Sequence, residues 1–293
     1  MQAISSLPAY LSPAALEAWI IQSLQEDVGD GDHTSLACIP ATRRSKARLL
    51  VKDAGVLAGV EEARRGFRAG GPAAGGKILM RDGMPIHFGD VAFEVDCNSQ
   101  ALLQAERLIL NTMQRMSGIA TLSNRFLFEV EDLPVTILDT RKTTPLFRAM
   151  EKWAVAIGGC SNYRFGLFDR IMVKDNHVEA SGGIRQAIER VRAYQEQRGV
   201  RLPITVEVRN LVELYEVLEV GGVDRIMLDN FEKPLLSEAV AIVNGRYETE
   251  ASGGVTIHTV REIAKSGVNF VSTGALTHSA VSLDLSLKIF QSY

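Results

Sequence analysis

Between residues 134 and 275 one rhythm repeats: a short apolar run, a polar exit, then a helical segment. The runs are "VTILD" (135–139), "RIMVKD" (170–175), "ITVEV" (204–208), "DRIMLD" (224–229), "RYETEA" (246–251) and "NFVSTG" (269–274). Between most of them lie segments such as "GGIRQAIERVRAYQEQRG", "NLVELYEVLEVGG" and "TIHTVREIAKSG", with apolar residues at helical spacing. Strand alternating with helix argues for a parallel sheet, because parallel neighbours need a long crossover. Six units predict a barrel or part of one.

The earlier chain reads differently. "PAALEAWIIQSLQED" predicts an amphipathic helix, and "KARLLVKDAGVLAGV" and "GKILMRDGMPIHFGDVAFEVD" read as strands and glycine turns. "QALLQAERLILNTMQRMSGIATLSNRFLFEV" (100–130) has helical spacing throughout, with Gly118 as a candidate break. "DVGDGDHTS" (27–35) fails the EF-hand spacing and is read as a capped turn.

A chain of 293 residues with 46% apolar content can bury a sizeable core. A net charge of −3 offers no bulk attraction to nucleic acid or membrane. No apolar run is long enough to span a bilayer, and the N-terminus lacks the pattern of a signal peptide. The three widely spaced cysteines, Cys38, Cys97 and Cys160, suit a reducing cytoplasm.

In parallel barrels the chemistry gathers where the strands end. The exits supply Asp139 with Arg141 and Lys142, then Lys174 with Asp175, then Glu207, then Asp229 with Asn230. The last two supply "SGG" (252–254) and "TGA" (273–275), ahead of helices expected near Thr256 and after Ala275. Bare glycine amides at helix starts bind phosphate. Adjacent cations such as Arg141 and Lys142 call for an anion between them. Glu207 and Asp229 suit Mg2+, ribose hydroxyls, or pairing with the nearby lysines. Cys160, His177, His258 and His278 have no companion that marks them as nucleophile or metal ligand.

The stretches "EDVGDGDHTS", "ERLILNTMQRMSGIAT", "LDTRKTTP", "NYRFGLFDRIMVKDNH", "VEVRN", "RIMLDN", "EASGGV" and "STGALTHS" span residues 26–279. In kind and order they resemble the quinolinate phosphoribosyltransferases, also called nicotinate-nucleotide pyrophosphorylases (carboxylating). The resemblance implies an α/β fold: an N-terminal α/β sandwich domain over 1–115, joined by the C-terminal 276–293, and an incomplete, about six-stranded parallel α/β barrel over 116–275. It implies transfer of phosphoribosyl from phosphoribosyl pyrophosphate to quinolinate with loss of CO2, on the route to NAD. Carried over by position, Arg107, Arg141, Lys142, Tyr163, Arg164 and Lys174 would surround the pyridine dicarboxylate. Glu207 and Asp229 would hold the ribose and Mg2+, directly or through the substrate. Ser252, Gly253, Gly254, Gly274 and Ala275 would take the 5′-phosphate. A cytoplasmic homodimer is implied, with Arg107 contributed across the interface.

The chain departs from the family pattern at Tyr163, where histidine is usual, at Leu146, where many members have glycine, and at Thr205, where many have glutamate. Three other readings compete. One is a paralogue phosphoribosylating a different nitrogen heterocycle. Another is a Schiff-base barrel enzyme using Lys174, which ends the apolar run "RIMVK". The third is a phosphate-binding protein without catalysis.

Overall fold

The computed structural model describes residues 7–69 and 75–293. Part of the N-terminal stretch read for a signal peptide, residues 1–6, lies outside them. The chain forms two compact units, one of 1–124, 144–159 and 279–293, the other of 125–143 and 160–278. The expected boundary at 115/116 falls inside a single helix.

The first unit opens with α1 (Pro13–Val28), capped by the Ser12 hydroxyl accepting from the Ala15 amide, with proline in its first turn. The turn read at 27–35 leads into α2 (His33–Cys38), where the Asp32 carboxylate accepts from the Ser35 amide. β1 (Arg44–Val51), β2 (Gly55–Val56), α3 (Val60–Ala69), β3 (Gly75–Ile78), β4 (Pro85–Ile86) and β5 (Val91–Asn98) follow. α3 was not expected. Its sequence, "VEEARRGFRA", buries Val60, Ala63 and Phe67 along one stripe, a helical spacing hidden among glycine-broken strands. The Asp82 carboxylate accepts from the Val60 amide at 2.9 Å and so caps this helix from a distant loop.

α4 (Ser99–Phe128) is one unbroken helix of 30 residues. Gly118 does not divide it. A Cβ there would collide with the Val281 carbonyl oxygen, so the missing side chain lets the C-terminal segment pass against the helix. That segment ends in β12 of the unit's antiparallel sheet, ordered β12-β1-β5-β3. β12 (Leu285–Ser292) lies in register with β1, Leu49 opposite Leu287. Residues such as Leu49, Val51, Phe93, Leu102, Ile109, Met113, Leu285 and Leu287 form the core between the sheet and α3 and α4.

The second unit holds the six expected strands in one parallel sheet. They are β6 (Thr136–Leu138), β7 (Ile171–Val173), β8 (Ile204–Val208), β9 (Arg225–Asp229), β10 (Glu248–Ser252) and β11 (Phe270–Ser272). Their order is β6-β11-β10-β9-β8-β7. The connecting helices α6 (Asp175–Ser181), α7 (Ile184–Arg198), α8 (Leu211–Val220), α9 (Lys233–Val243), α10 (Val260–Ala264) and α11 (Ala275–His278) make this a βα repeat. The helix after β6, α5 (Arg148–Ile157), belongs to the first unit. The sheet has two edges, β6 and β7. Ser161 makes a parallel bridge to Leu138, and ten residues later the chain enters β7. The segment 161–170 therefore runs from one edge to the other, across the gap of the incomplete barrel.

Candidate active site

Strand alternation sends side chains two apart to the same face. Val206, Val208, Ile226, Leu228, Ala251 and Val271 make one apolar face. The other carries Thr205, Glu207, Arg225, Met227, Asp229, Glu248, Glu250, Ser252 and Phe270, a polar lumen. Inside it Arg225, 5% exposed, donates to Glu250 at 3.1 Å and to Glu248 at 2.9 Å, and its guanidinium lies 3.6 Å from the Phe270 ring centroid. Sequence reasoning had treated the strands only by their exits. A charged residue inside an otherwise apolar strand, as in "DRIMLD" and "RYETEA", was the signal for this buried pair.

The sheet order sorts the exits by chemistry. From one edge to the other come Arg141 and Lys142 after β6, Gly274 and Ala275 after β11, and Ser252 to Gly254 at β10. Asp229 at β9, Glu207 on β8 and Lys174 after β7 complete the set. The basic exits therefore stand at the two edges, and the segment 161–170 joins them. Asp139, fully buried, organises that junction. Its carboxylate accepts from the Asn162 side chain at 2.8 Å and from the Tyr163 amide at 2.7 Å.

Arg164 follows directly. Burial, and then the charge of Arg141, pull its guanidinium below its ordinary range. The Nε of Arg141 is buried without a hydrogen-bond partner among the described residues. A depressed Arg164 beside a second arginine that carries an orphaned donor is poised for an anion. Lys142 leans the other way. Its carbonyl accepts from the Thr277 hydroxyl at 2.8 Å, and a Cβ on Gly274 would come within 2.8 Å of its stem. Gly274 thus makes room for Lys142 beside the β11 exit.

Lys174 forms an ion pair with the Glu207 carboxylate, which is 6% exposed. Of the readings open for the acidic pair, pairing with lysine holds for Glu207. Asp229 instead accepts from its neighbour Asn230 at 2.7 Å. Asn230 has a left-handed backbone (φ 57°), and its amide donates to the Ser252 carbonyl at 2.8 Å, fastening the β9 and β10 exits. Gly253 (φ 99°) and Gly254 (φ 57°) take the left-handed backbone that favours glycine, and a Cβ on Gly253 would strike the Asn230 side chain. The helix expected near Thr256 starts later, at Val260, because Thr256 to Thr259 form a turn closed by the Thr259 hydroxyl. The Ala275 amide donates to Thr273 Oγ1 at 3.2 Å, so the Thr273 hydroxyl caps the short helix α11.

The position carried over from the family put Tyr163 among the residues around the dicarboxylate. Its hydroxyl lies in the lumen, 2.9 Å from Thr205 Oγ1, instead of beside the arginines that follow the strands. Arg107 is exposed on α4, in the first unit. Leu146 is 86% exposed with a left-handed backbone (φ 62°), strained for a branched side chain. Cys160 is buried, which pushes its thiol up to about 12 and suits a packing role. His177 accepts from the Lys174 amide through Nδ1 at 3.0 Å and holds the loop that carries that lysine.

Residues 32–117 match the model of the quinolinate phosphoribosyl transferase N-terminal domain, and residues 119–288 that of its C-terminal domain. The chain belongs to the quinolinate phosphoribosyltransferase family. It is 44% identical over 289 residues to quinolinate phosphoribosyltransferase [decarboxylating] 1b of Nicotiana tabacum, covering 94% of this chain and 82% of that protein. It is 45% identical, with the same coverage, to the chloroplastic nicotinate-nucleotide pyrophosphorylase [carboxylating] of Arabidopsis thaliana. Among solved structures, NadC from Streptococcus pyogenes superposes with a TM-score of 0.89 at 35% identity, over 96% of this chain and 99% of that one. No helix among the described residues is long and apolar enough to cross a membrane.

Proposed function

We propose that this chain transfers the phosphoribosyl group of phosphoribosyl pyrophosphate to quinolinate, with decarboxylation, giving nicotinate mononucleotide, pyrophosphate and CO2. Beyond family membership, one observation carries the reading: the buried, partnerless Arg141 Nε beside the depressed Arg164. Quinolinate brings two adjacent carboxylates, enough charge to occupy both cations.

The steps follow from that placement. The pyridine nitrogen attacks the sugar C1 as the C1–O bond to pyrophosphate breaks. Positive charge gathers on the ribose ring, and Asp229 stabilises it. The ring nitrogen, now cationic, stabilises the electron pair that stays on C2 when the C2–carboxylate bond breaks and CO2 departs, and a proton then adds to that pair. Arg141, Arg164 and Lys174 hold the dicarboxylate, and Ser252, Gly253, Gly254 and Gly274 take the 5′-phosphate through backbone amides. Lys142, at Gly274, lies where it can serve either anion.

No cluster of three metal-ligating side chains occurs among the described residues, and Glu207 is committed to Lys174. That donor set fits Mg2+ held chiefly by substrate phosphate oxygens, with Asp229 as the protein carboxylate. Bound there, it would neutralise the leaving pyrophosphate. The Lys174–Glu207 ion pair suits a clamp better than the free amine a Schiff base requires. We assign the working form as a homodimer in which Arg107 of one subunit completes the site of the other. No disulfide joins the cysteines among the described residues, which suits a reducing compartment such as the cytoplasm.

The test is incubation with quinolinate, phosphoribosyl pyrophosphate and Mg2+, following CO2 and nicotinate mononucleotide. Nicotinate, with one carboxylate, should be turned over at least about 100-fold less efficiently, since it leaves a buried cation unpaired. Equal turnover of the two would sink the dicarboxylate clamp.

A further inference from the structure

The 161–170 segment carries Arg164 across the barrel gap, yet it is a loop. Loops hold a charged side chain in one place only when something fixes the backbone beside it. One attachment is already described, from the Tyr163 amide to Asp139. The Tyr163 side chain supplies another, in the opposite direction. Its hydroxyl lies 2.9 Å from Oγ1 of Thr205, which is fully buried near the start of β8. The same Oγ1 accepts from Arg170 Nη1 at 3.2 Å, six residues after Arg164. The Tyr163 ring is flanked by two guanidiniums, Arg225 at 5.2 Å and Arg170 at 5.4 Å from its centroid. The backbone carbonyl of Arg170 in turn accepts from Arg164 Nη1 at 3.3 Å.

We propose that Tyr163 is a positioning residue: bolted through its hydroxyl to Thr205 and by its ring between Arg170 and Arg225, it holds Arg164 beside Arg141 without touching the substrate. The proposal rests on the quinolinate reading given above. Side chains two apart on β8 share a face, so Thr205 lies one step below Glu207 in the lumen. The phenol therefore points away from the exits while the next residue serves them. The ring is also chemically quiet, because burial first, and then Glu250, push its hydroxyl up to about 12. The Tyr163–Thr205 pair thus acts as one unit: removing either end frees the loop, and removing both frees it no further.

A four-member cycle tests this: wild type, Tyr163→Phe, Thr205→Val and the double variant, with Thr205→Ser as the conservative control and thermal melts for all. Each single variant should raise the KM for quinolinate about 3- to 10-fold, the worth of one neutral hydrogen bond. The kcat and the KM for phosphoribosyl pyrophosphate should stay within about twofold of wild type, since only dicarboxylate binding is loosened. The double variant should match the singles, and Thr205→Ser should match wild type. A silent Thr205→Val beside a defective Tyr163→Phe would mean that the phenol contacts substrate directly, and would overturn the proposal. So would additive defects, or two silent single variants. Wild-type enzyme inactive on quinolinate would instead overturn the functional reading, and this proposal with it.

Discussion

Asp229 and Glu207 end neighbouring strands with similar carboxylates, yet their surroundings give them different work. Glu207 is buried against Lys174, whereas Asp229 is half-buried and, among the described residues, held by an uncharged amide. A carboxylate with a neutral partner keeps its charge available for a developing cation. Asp229→Asn should therefore lower kcat by roughly 100-fold or more, on the scale of losing one electrostatic stabiliser of a transition state. Quinolinate affinity measured by calorimetry should stay within about threefold of wild type. A collapse of that affinity would show that the acidic and basic exits do not divide the substrates between them. A second acid pair, in the other unit, bears on stability. Glu62 is fully buried with neither carboxylate oxygen hydrogen-bonded among the described residues, and burial, then Asp82, push it well above the carboxylate range. Burial likewise pushes Asp82 up to about 6. Raised folded-state values mean that the fold keeps protons the unfolded chain has released. Their stability is complete below about pH 4, where the unfolded groups titrate, and is lost as pH rises through the folded values. Glu62→Gln, which carries no charge at any pH, should leave the melting temperature nearly unchanged at pH 4 and raise it at pH 8. A gain equal at both pH values would place the effect in packing instead of ionisation.

At the scale of elements, α4 and the C-terminal segment depend on Gly118. Alanine favours a helix interior over glycine by about 1 kcal/mol, so propensity alone predicts that Gly118→Ala stabilises. Contact predicts the reverse. The new methyl meets the Val281 carbonyl and pushes away a segment whose Leu283 amide donates to the Gln114 carbonyl at 3.1 Å. Overpacking costs about 1–3 kcal/mol, and a collision with backbone, which cannot rotate away, falls at the upper end, so the net effect should be destabilising by about 2 kcal/mol. Amide exchange in β12 should quicken first, and an unchanged or higher melting temperature would refute the close approach. The same glycine shows where sequence reasoning stops. As a helix breaker it is ambiguous, because the atom it avoids lies more than 160 residues away. The six parallel strands were legible because each is a local apolar run with a polar exit, and their exits became the candidate site for the same reason. α3 was missed because its burial stripe sits among glycines that favour turns. The direction of the Tyr163 side chain was not legible because a position carried over from a family pattern says nothing of which way a different side chain turns. Its partner Thr205 is 42 residues on, and both had been noted only as separate departures from a pattern.

At the scale of the whole molecule, the candidate residues do not all come from one unit. The strand exits with Arg141, Lys174, Glu207 and Asp229 lie in the unit of 125–143 and 160–278, while Arg107 is exposed on α4 in the other. An exposed arginine on the long helix has no role in a monomer's core, and the proposed homodimer gives it one by lending it to the partner's site. Two-fold symmetry would then make two equivalent composite sites. The expectation is tested by mixing two inactive variants, Arg107→Ala and Lys174→Ala, and letting subunits exchange. In a mixed dimer one site carries both lesions and the other carries neither. Random exchange makes about half of the dimers mixed, so about a quarter of wild-type activity should return. If Arg107 served its own subunit, every site would keep one lesion and mixing would restore nothing. Mass spectrometry under native conditions establishes that mixed dimers have formed. Their presence without recovered activity would place Arg107 in its own subunit's site, and a chain that stays monomeric at assay concentration would remove the shared site altogether.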